Sequence, residues 1–301
     1  TKALVQSRNS FANSLPLTSP PESSRNHLVI MSVIGIFAIL LLTAALIGGP
    51  LLIANIRAIF YREVNSFFTS PLAYVLMFIF LVAVNALTFL WPGRELVESE
   101  QAALKDFFFF YHPWILAFYA PLLAMRTLAD EHRQGTIELI STMPVRTIEL
   151  VCGKFLGSFI VLFASLLFTA SVWITVSILG DPDHGPIIAG YLGSLFVGGA
   201  FIAVAIAVSA VTRSQVICVA VSIPICLLLC IVGFDPVQNF FADSGVGFLS
   251  FTGELLASIS VMPAFVDFSK GLIEIRYLFY FVSVIALCLF ITNTVLQSKR
   301  S

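Results

Sequence analysis

Six long apolar runs separated by short polar segments dominate the chain after residue 70, and they limit the folds open to it. A helix rises about 1.5 Å per residue, so about 20 residues cross the roughly 30 Å hydrocarbon core of a bilayer. Of all residues 58% are hydrophobic and 11% are charged, whereas soluble domains carry roughly 25% charged residues. The sequence therefore predicts an all-α, polytopic membrane protein with six core transmembrane helices. These helices lie near 71–91, 110–129, 150–180, 187–211, 215–234 and 276–297.

The residues before the first core helix divide into three segments. Residues 1–27 are polar and rich in Ser, Pro and Asn, which predicts a disordered tail. Residues 28–52 carry no charge, and we interpret them as an extra transmembrane or signal-like segment outside the functional core. Residues 53–68 predict an amphipathic helix in the membrane interface, because apolar side chains recur at helical spacing. This apolar stripe consists of Ile53, Ile56, Phe60, Val64 and Phe67. We expect the functional domain to span residues 53–301.

The charges are distributed unevenly between the two sides of the predicted bundle. One side carries nine Lys or Arg against five Asp or Glu, and the other carries four against eleven. Cytoplasmic loops of membrane proteins hold an excess of Lys and Arg. We therefore expect the first side, which includes the 53–70 segment, the 130–149 loop and the C-terminus, to be cytoplasmic. No segment is basic enough to indicate nucleic-acid binding.

A charged island, residues 130–149, separates the second and third core helices. Its pattern predicts a short helix at the membrane surface, with Ile137 and Ile140 toward the membrane. Gly135 permits a close approach or a bend, and Met143 ends the helix because the residue before a proline avoids the helical region. The residues that face water or a partner are Glu131, His132, Gln134 and Glu138. An ordinary solvated loop is the alternative interpretation.

Several motifs, in this order, resemble the signature of type-2 ABC exporter permeases. The resemblance extends from about residue 53 to the C-terminus and is closest to the GldF/NosY-like subgroup, which is associated with gliding motility. The motifs are Arg62-Glu63-x6-Ser70-Pro71-x2-Tyr74-Val75, then Phe109-Phe110-x5-Leu116-x3-Ala120-Pro121-x2-Ala124-Met125-Arg126, then Glu131-x3-Gly135-Thr136-Ile137-Glu138-Leu139-Ile140-x3-Pro144-Val145, and finally Glu149-Leu150-x3-Lys154-Phe155-Leu156-Gly157.

The resemblance implies that residues 53–301 form a six-helix ABC transporter permease domain with a coupling helix at 130–145. In that family the coupling helix docks on a separate cytosolic ATP-binding subunit. The docking residues would be Glu131, His132, Gly135, Thr136 and Glu138. The resemblance also implies a homodimer, or a heterodimer with a second permease, embedded in the lipid bilayer of a bacterial inner membrane.

The sequence predicts a subunit that does no catalysis of its own. A phosphate-binding P-loop requires Gly-x4-Gly-Lys-Ser/Thr, but Gly153-Lys154 is followed by Phe155 and preceded at the required distance by Ile148. We therefore expect ATP hydrolysis in a separate subunit, and we expect no cofactor and no metal. The five cysteines show no metal-ligand spacing and read as small apolar helix residues.

Two other classes of function stay open: an ion-gradient-driven transporter or channel, and a non-transporting membrane anchor of a motility or secretion assembly. No predicted helix centre carries Asp, Glu, Lys or Arg, which argues against ion coupling. The sequence does not exclude the anchor. Asn85 and Asn293 are strongly polar residues near the middle of predicted helices, where we expect hydrogen bonds between helices.

Two further patterns concern packing and the outer side. Glycines in the third and fourth core helices, such as Gly153 and Gly157, favour close helix packing within the chain over a dimer seam. Residues 235–275 are too apolar for a free connector, and we expect a re-entrant helix pair interrupted at Pro263; the resemblance implies a gate there. Lys270 is spaced to pair with Glu274 or with Asp267, as surface charge or as part of the gate.

Overall fold

The chain folds into helices. A computed structural model describes residues 35–36, 39, 43, 50, 53–89, 108–129, 131, 146–179, 182–234, 236–238 and 258–298, and these contain no strand. The main helices are α1 (Ala54–Thr69), α2 (Pro71–Phe89), α3 (His112–Ala124), α4 (Thr147–Leu179), α5 (His184–Val211), α6 (Gln215–Ile231), α7 (Met262–Ser269) and α8 (Ile275–Ser298). The described part of the chain is therefore all-α, as predicted.

Four of these helices, α2, α4, α5 and α8, are long and apolar enough to cross a membrane. Two shorter apolar stretches accompany them, Phe109–Ala124 and Gln215–Ile231. Helix α4 has 33 residues and is therefore about 50 Å long at 1.5 Å per residue, which exceeds the roughly 30 Å hydrocarbon core. Its first turns contain Glu149 and Lys154, whereas residues 155–179 carry no Asp, Glu, Lys or Arg.

Prolines mark where several helices begin. Pro71 is the first residue of α2, and prolines also occupy the first turn of α3 and of α7. Proline suits the first turn because its φ is preset and its missing N–H has no helical acceptor there. Pro263, expected as an interruption, thus lies at the beginning of α7.

Helix α5 is the centre of the bundle and packs against α3, α4, α6, α7 and α8. Its glycines explain the close approach. A Cβ on Gly198 would lie 2.5 Å from Leu162 of α4, and one on Gly193 would lie 2.8 Å from Phe268 of α7. The predicted packing of small residues within the chain is therefore confirmed at these positions.

Helix α1 is amphipathic, as predicted, and lies along the first turns of α4. It buries Ile56, Phe60 and Phe67. Of the other two predicted stripe residues, Val64 is half-buried. Ile53 is exposed because it precedes the first helical turn. A Cβ on Gly153 of α4 would lie 2.7 Å from Ile59, so this glycine allows the two helices to touch.

The two asparagines form hydrogen bonds within their own helices. Asn85 Nδ2 donates to the carbonyl of Leu81 at 2.7 Å, and Gln297 Nε2 donates to Asn293 Oδ1 at 3.5 Å. Within the described part of the chain neither asparagine bonds to another helix, so the expected hydrogen bonds between helices are not found there. A group one turn away in the same helix is within reach of the short amide side chain and offers it a local partner.

The segment before α8 forms one of the two pairs that the spacing of Lys270 allowed, the pair with Asp267. Lys270 Nζ lies 3.3 Å from Asp267 Oδ1, whereas Glu274 pairs with Arg276 at 3.1 Å. The Lys270–Glu274 pair is wrong because residues 272–274 are not helical, so the spacing of one helical turn does not apply. Of the predicted re-entrant segment, the structure describes 236–238 and 258–275, including α7.

The N-terminal segments are described at only a few positions. Residues 1–27 lie outside the described residues, and of 28–52 only residues 35, 36, 39, 43 and 50 are described. Ile36 and Ile39 contact the core beside Trp173 of α4 and Tyr191 of α5. The boundaries proposed for these segments stay predictions.

Candidate functional site

A cluster of four charged side chains joins α1, the chain after α3, and the beginning of α4. At its centre is Lys154, whose side chain is only 2% exposed. Its Nζ lies 2.7 Å from Glu63 Oε1 and 2.9 Å from Glu131 Oε1, and it donates to the carbonyl of Thr127 at 2.6 Å. All three donor positions of the Lys154 ammonium therefore have an oxygen partner. We call Arg62, Glu63, Glu131 and Lys154 the charge cluster.

Arg62 closes the cluster on its exposed side. Its Nη2 lies 3.1 Å from Glu131 Oε1 and 3.4 Å from Glu63 Oε1, and its side chain is 54% exposed. Two cations thus face two carboxylates, and the formal charges balance. A charge is stable in a buried place only when it is paired and hydrogen-bonded, and Lys154 meets both conditions.

Helix ends supply part of this geometry. Helix α3 ends at Ala124 rather than at the predicted residue 129. Three of the backbone groups that follow have partners outside α3. The carbonyl of Thr127 accepts from Lys154, while the N–H groups of Leu128 and Ala129 donate to Ser209 Oγ of α5 at 3.2 and 2.9 Å. The C-terminal end of a helix also favours a nearby cation.

The beginning of α4 is attached to α1 by a second contact. Glu149 Oε2 accepts from the backbone N–H of Arg146 at 3.2 Å, as in a capping box. The same oxygen accepts from Asn55 Nδ2 at 2.9 Å. At the C-terminal end of α1, Arg126 Nη1 donates to Ser70 Oγ at 2.8 Å, and Ser70 is the residue between α1 and α2.

Of the five residues predicted to dock a partner, the structure describes only Glu131. His132, Gly135, Thr136 and Glu138 lie outside the described residues. The prediction that Glu131 faces water or a partner is wrong, because its side chain is only 14% exposed and pairs with Lys154 and Arg62 in the charge cluster. Glu131 therefore connects the island to α1 and α4. The sequence counts Lys154 among the Lys and Arg of the predicted cytoplasmic side and does not predict its burial. The available signal was its position between Gly153 and Gly157, where small residues indicate a close helix contact.

The cluster connects α1, the chain after α3 and the first turns of α4. Its side chains neutralise each other, and Gly157 allows α1 to approach: a Cβ there would lie 2.7 Å from the Cβ of Glu63. In the part of the chain that the structure describes, no group of His, Cys, Asp and Glu has the arrangement of a metal site.

Comparison with known families decides the identity of this bundle. Residues 92–296 match the family model described as ABC-2 family transporter protein. The chain belongs to the ABC-2 transporter family. The match includes the whole of α3 to α7 and most of α8, and it contains Glu131 and Lys154, whereas α1 precedes it. As an ABC-2 member with several apolar helices of membrane-spanning length, the chain is a multi-pass membrane permease of an ABC transporter. No curated protein matches it by sequence.

Proposed function

We propose that this ABC-2 permease is the membrane subunit of an ATP-driven exporter that is coupled to a separate cytosolic ATPase through residues 130–145. The observation that carries the proposal is the position of Glu131. It stands at the beginning of the charged island and contacts Lys154 of α4 and Arg62 of α1. A force applied to the island reaches both helices through these contacts.

The charge cluster supports this transmission energetically. Removing one member of a buried ion pair costs about 3–5 kcal/mol, because the remaining charge is left without a partner. Glu63, Glu131 and Lys154 are all largely buried, at 12%, 14% and 2% side-chain exposure. Residue 131, α1 and the first turns of α4 therefore move together more readily than they separate.

The same proposal assigns the remaining features of the transporter. The island, α1 and the C-terminus face the cytosol, since that side carries the excess of Lys and Arg. The chain itself does no catalysis, and the ATPase subunit hydrolyses ATP. Two copies, or one copy with a related permease, form the path. The motif order supports a member of the GldF/NosY-like subgroup, which is associated with gliding motility.

The test is purification of the tagged full chain from its native membranes. We expect a protein with a P-loop to co-purify, together with ATP hydrolysis that vanadate inhibits. Lys154→Gln should still co-purify with the ATPase subunit but lower the hydrolysis rate per complex at least threefold, because the charge cluster is weakened. Glu274→Gln changes an exposed charge far along the chain from the cluster and should leave the rate unchanged. Purification without a P-loop protein would contradict the proposal and favour the anchor or the ion-driven transporter.

A further inference from the structure

A second site lies at the opposite end of the bundle from the charge cluster. A cavity of about 440 Å³ opens there between the 3-10 turn before α3, the chain after α6, and α7. Ligand pockets for small molecules typically measure about 300–1,000 Å³. The cavity therefore has the size of a ligand site, and neither the family match nor the proposed coupling assigns it.

The lining of this cavity changes from apolar to polar toward its mouth. Phe109, Met262 and Phe265 are almost completely buried, and Phe234 adds a fourth apolar wall. The polar lining residues are more exposed, and they are Gln238, Asp267, Ser269 and Lys270. Such an arrangement suits a ligand with an apolar body and a polar head.

The mouth presents one positive and one negative group side by side. Lys270 Nζ lies 3.3 Å from Asp267 Oδ1, which satisfies one of its three donors. Tyr277 Oη donates to Asp267 Oδ2 at 2.6 Å and holds the carboxylate in place. A headgroup that carries both charges can put its anion on Lys270 and its cation on Asp267.

We propose that this cavity binds a zwitterionic amphiphile, with its apolar chain among Phe109, Phe234 and Phe265 and its headgroup between Asp267 and Lys270. Its role as cargo rests on the transport function proposed above, whereas binding itself does not. The same chemistry is found in phospholipids of the bilayer and in transported amphiphiles, and the experiment separates these two sources.

Trp114 provides the readout. Its ring makes an edge contact with Phe234, with centroids 5.5 Å apart, so a bromine atom in the cavity should quench its fluorescence. The full chain is placed in nanodiscs of anionic phosphatidylglycerol and titrated with 12-bromododecylphosphocholine. The difference between the wild type and Trp114→Phe isolates the signal of Trp114. We expect saturable quenching by this probe and at least tenfold weaker quenching by bromododecyl sulfate and bromododecanol.

Variants at the mouth test the headgroup contacts. Asp267→Asn and Lys270→Gln should each raise the Kd for the phosphocholine probe at least tenfold, and Val266→Phe should abolish saturation by filling the cavity. Glu274→Gln is the matched control, because Glu274 belongs to the same segment but not to the lining, and its Kd should equal that of the wild type. Non-saturable quenching, equal quenching by all three probes, or an unchanged Kd in both mouth variants would overturn the proposal.

A second arm identifies the source of the amphiphile. The probe is titrated into the complex with its ATPase, with and without trapping by ATP and vanadate. A Kd that rises on trapping assigns a cargo, and an unchanged Kd assigns a resident lipid; both outcomes support the site. Because the first arm needs no ATPase, it still tests the cavity if no ATPase co-purifies and the coupling proposal fails.

Discussion

The backbone of α4 at Gly157 approaches Glu63 of α1 so closely that an added Cβ would lie 2.7 Å from the Cβ of Glu63. Gly157→Leu should therefore push the helices apart and weaken the contact of Glu63 with Lys154. We expect a loss of about 1–3 kcal/mol in the free energy of unfolding, as for other overpacked sites. Thermal unfolding in detergent measures it as a lower Tm. Gly185→Ala is the control, because its Cβ would make only an ordinary contact at 3.6 Å; equal Tm values for the two variants would contradict this packing.

A double-mutant cycle tests the buried ion pair. Glu63→Gln, Lys154→Gln and the combined variant should give a coupling energy of about 1–3 kcal/mol, because residues in one ion-pair network are not additive. The same cycle on Asp267 and Lys270, a more exposed pair, should give less than about 1 kcal/mol. Chemical denaturation of the detergent-solubilised protein provides the measurement. A coupling as small in the first cycle as in the second would show that Lys154 is not held as described.

Docking at the island is tested by changing its water-facing side. The sequence predicts that Glu138 lies on the water-facing side of the island helix, whereas Glu131 belongs to the charge cluster and is left unchanged. We expect Gly135→Trp, and separately Glu138→Lys, to abolish co-purification of the ATPase. Glu98→Lys, a charge reversal on the predicted non-cytoplasmic side, should leave co-purification of the ATPase unchanged. If the island variants retain wild-type amounts of ATPase, the coupling helix lies elsewhere.

Orientation in the membrane has its own test. In a variant without native cysteines, a cysteine introduced at Gln134 should react with a maleimide only when the reagent can cross the membrane. A cysteine introduced at Glu98 should also react with an impermeant maleimide added to whole cells. The physical reason is the excess of Lys and Arg on the side of Gln134. The reverse accessibility would invert the topology.

The sequence predicted those elements whose signal is local. Apolar runs place α2, α5 and α8 within a few residues of their observed bounds, because a membrane span is defined by its own composition. The stripe of α1 was also predicted, since Ile56, Phe60 and Phe67 occur at helical spacing and are buried. Local patterns of this kind do not depend on which helices become neighbours.

Side-chain partners could not be predicted, because they depend on how the helices pack. Lys154 is followed by a long uncharged run, yet its oxygen partners come from α1 and from the chain after α3. Likewise Asn85 could bond across to another helix or back to Leu81, and only the folded geometry selects Leu81. For the island, the sequence predicts a docking helix, of which the structure describes Glu131 alone together with the following helix from Thr147 onward.

The length of α4 has a mechanical consequence. A single unbroken helix of 33 residues acts as a lever arm about 50 Å long, and a tilt of about 5° at one end displaces the other by roughly 4 Å. Helix shifts of about 1–2 Å already switch other allosteric proteins. At Trp173, about 29 Å from Lys154 along the helix, the same tilt displaces α4 by roughly 2.5 Å, beside the bond from Trp173 to His184 at the beginning of α5.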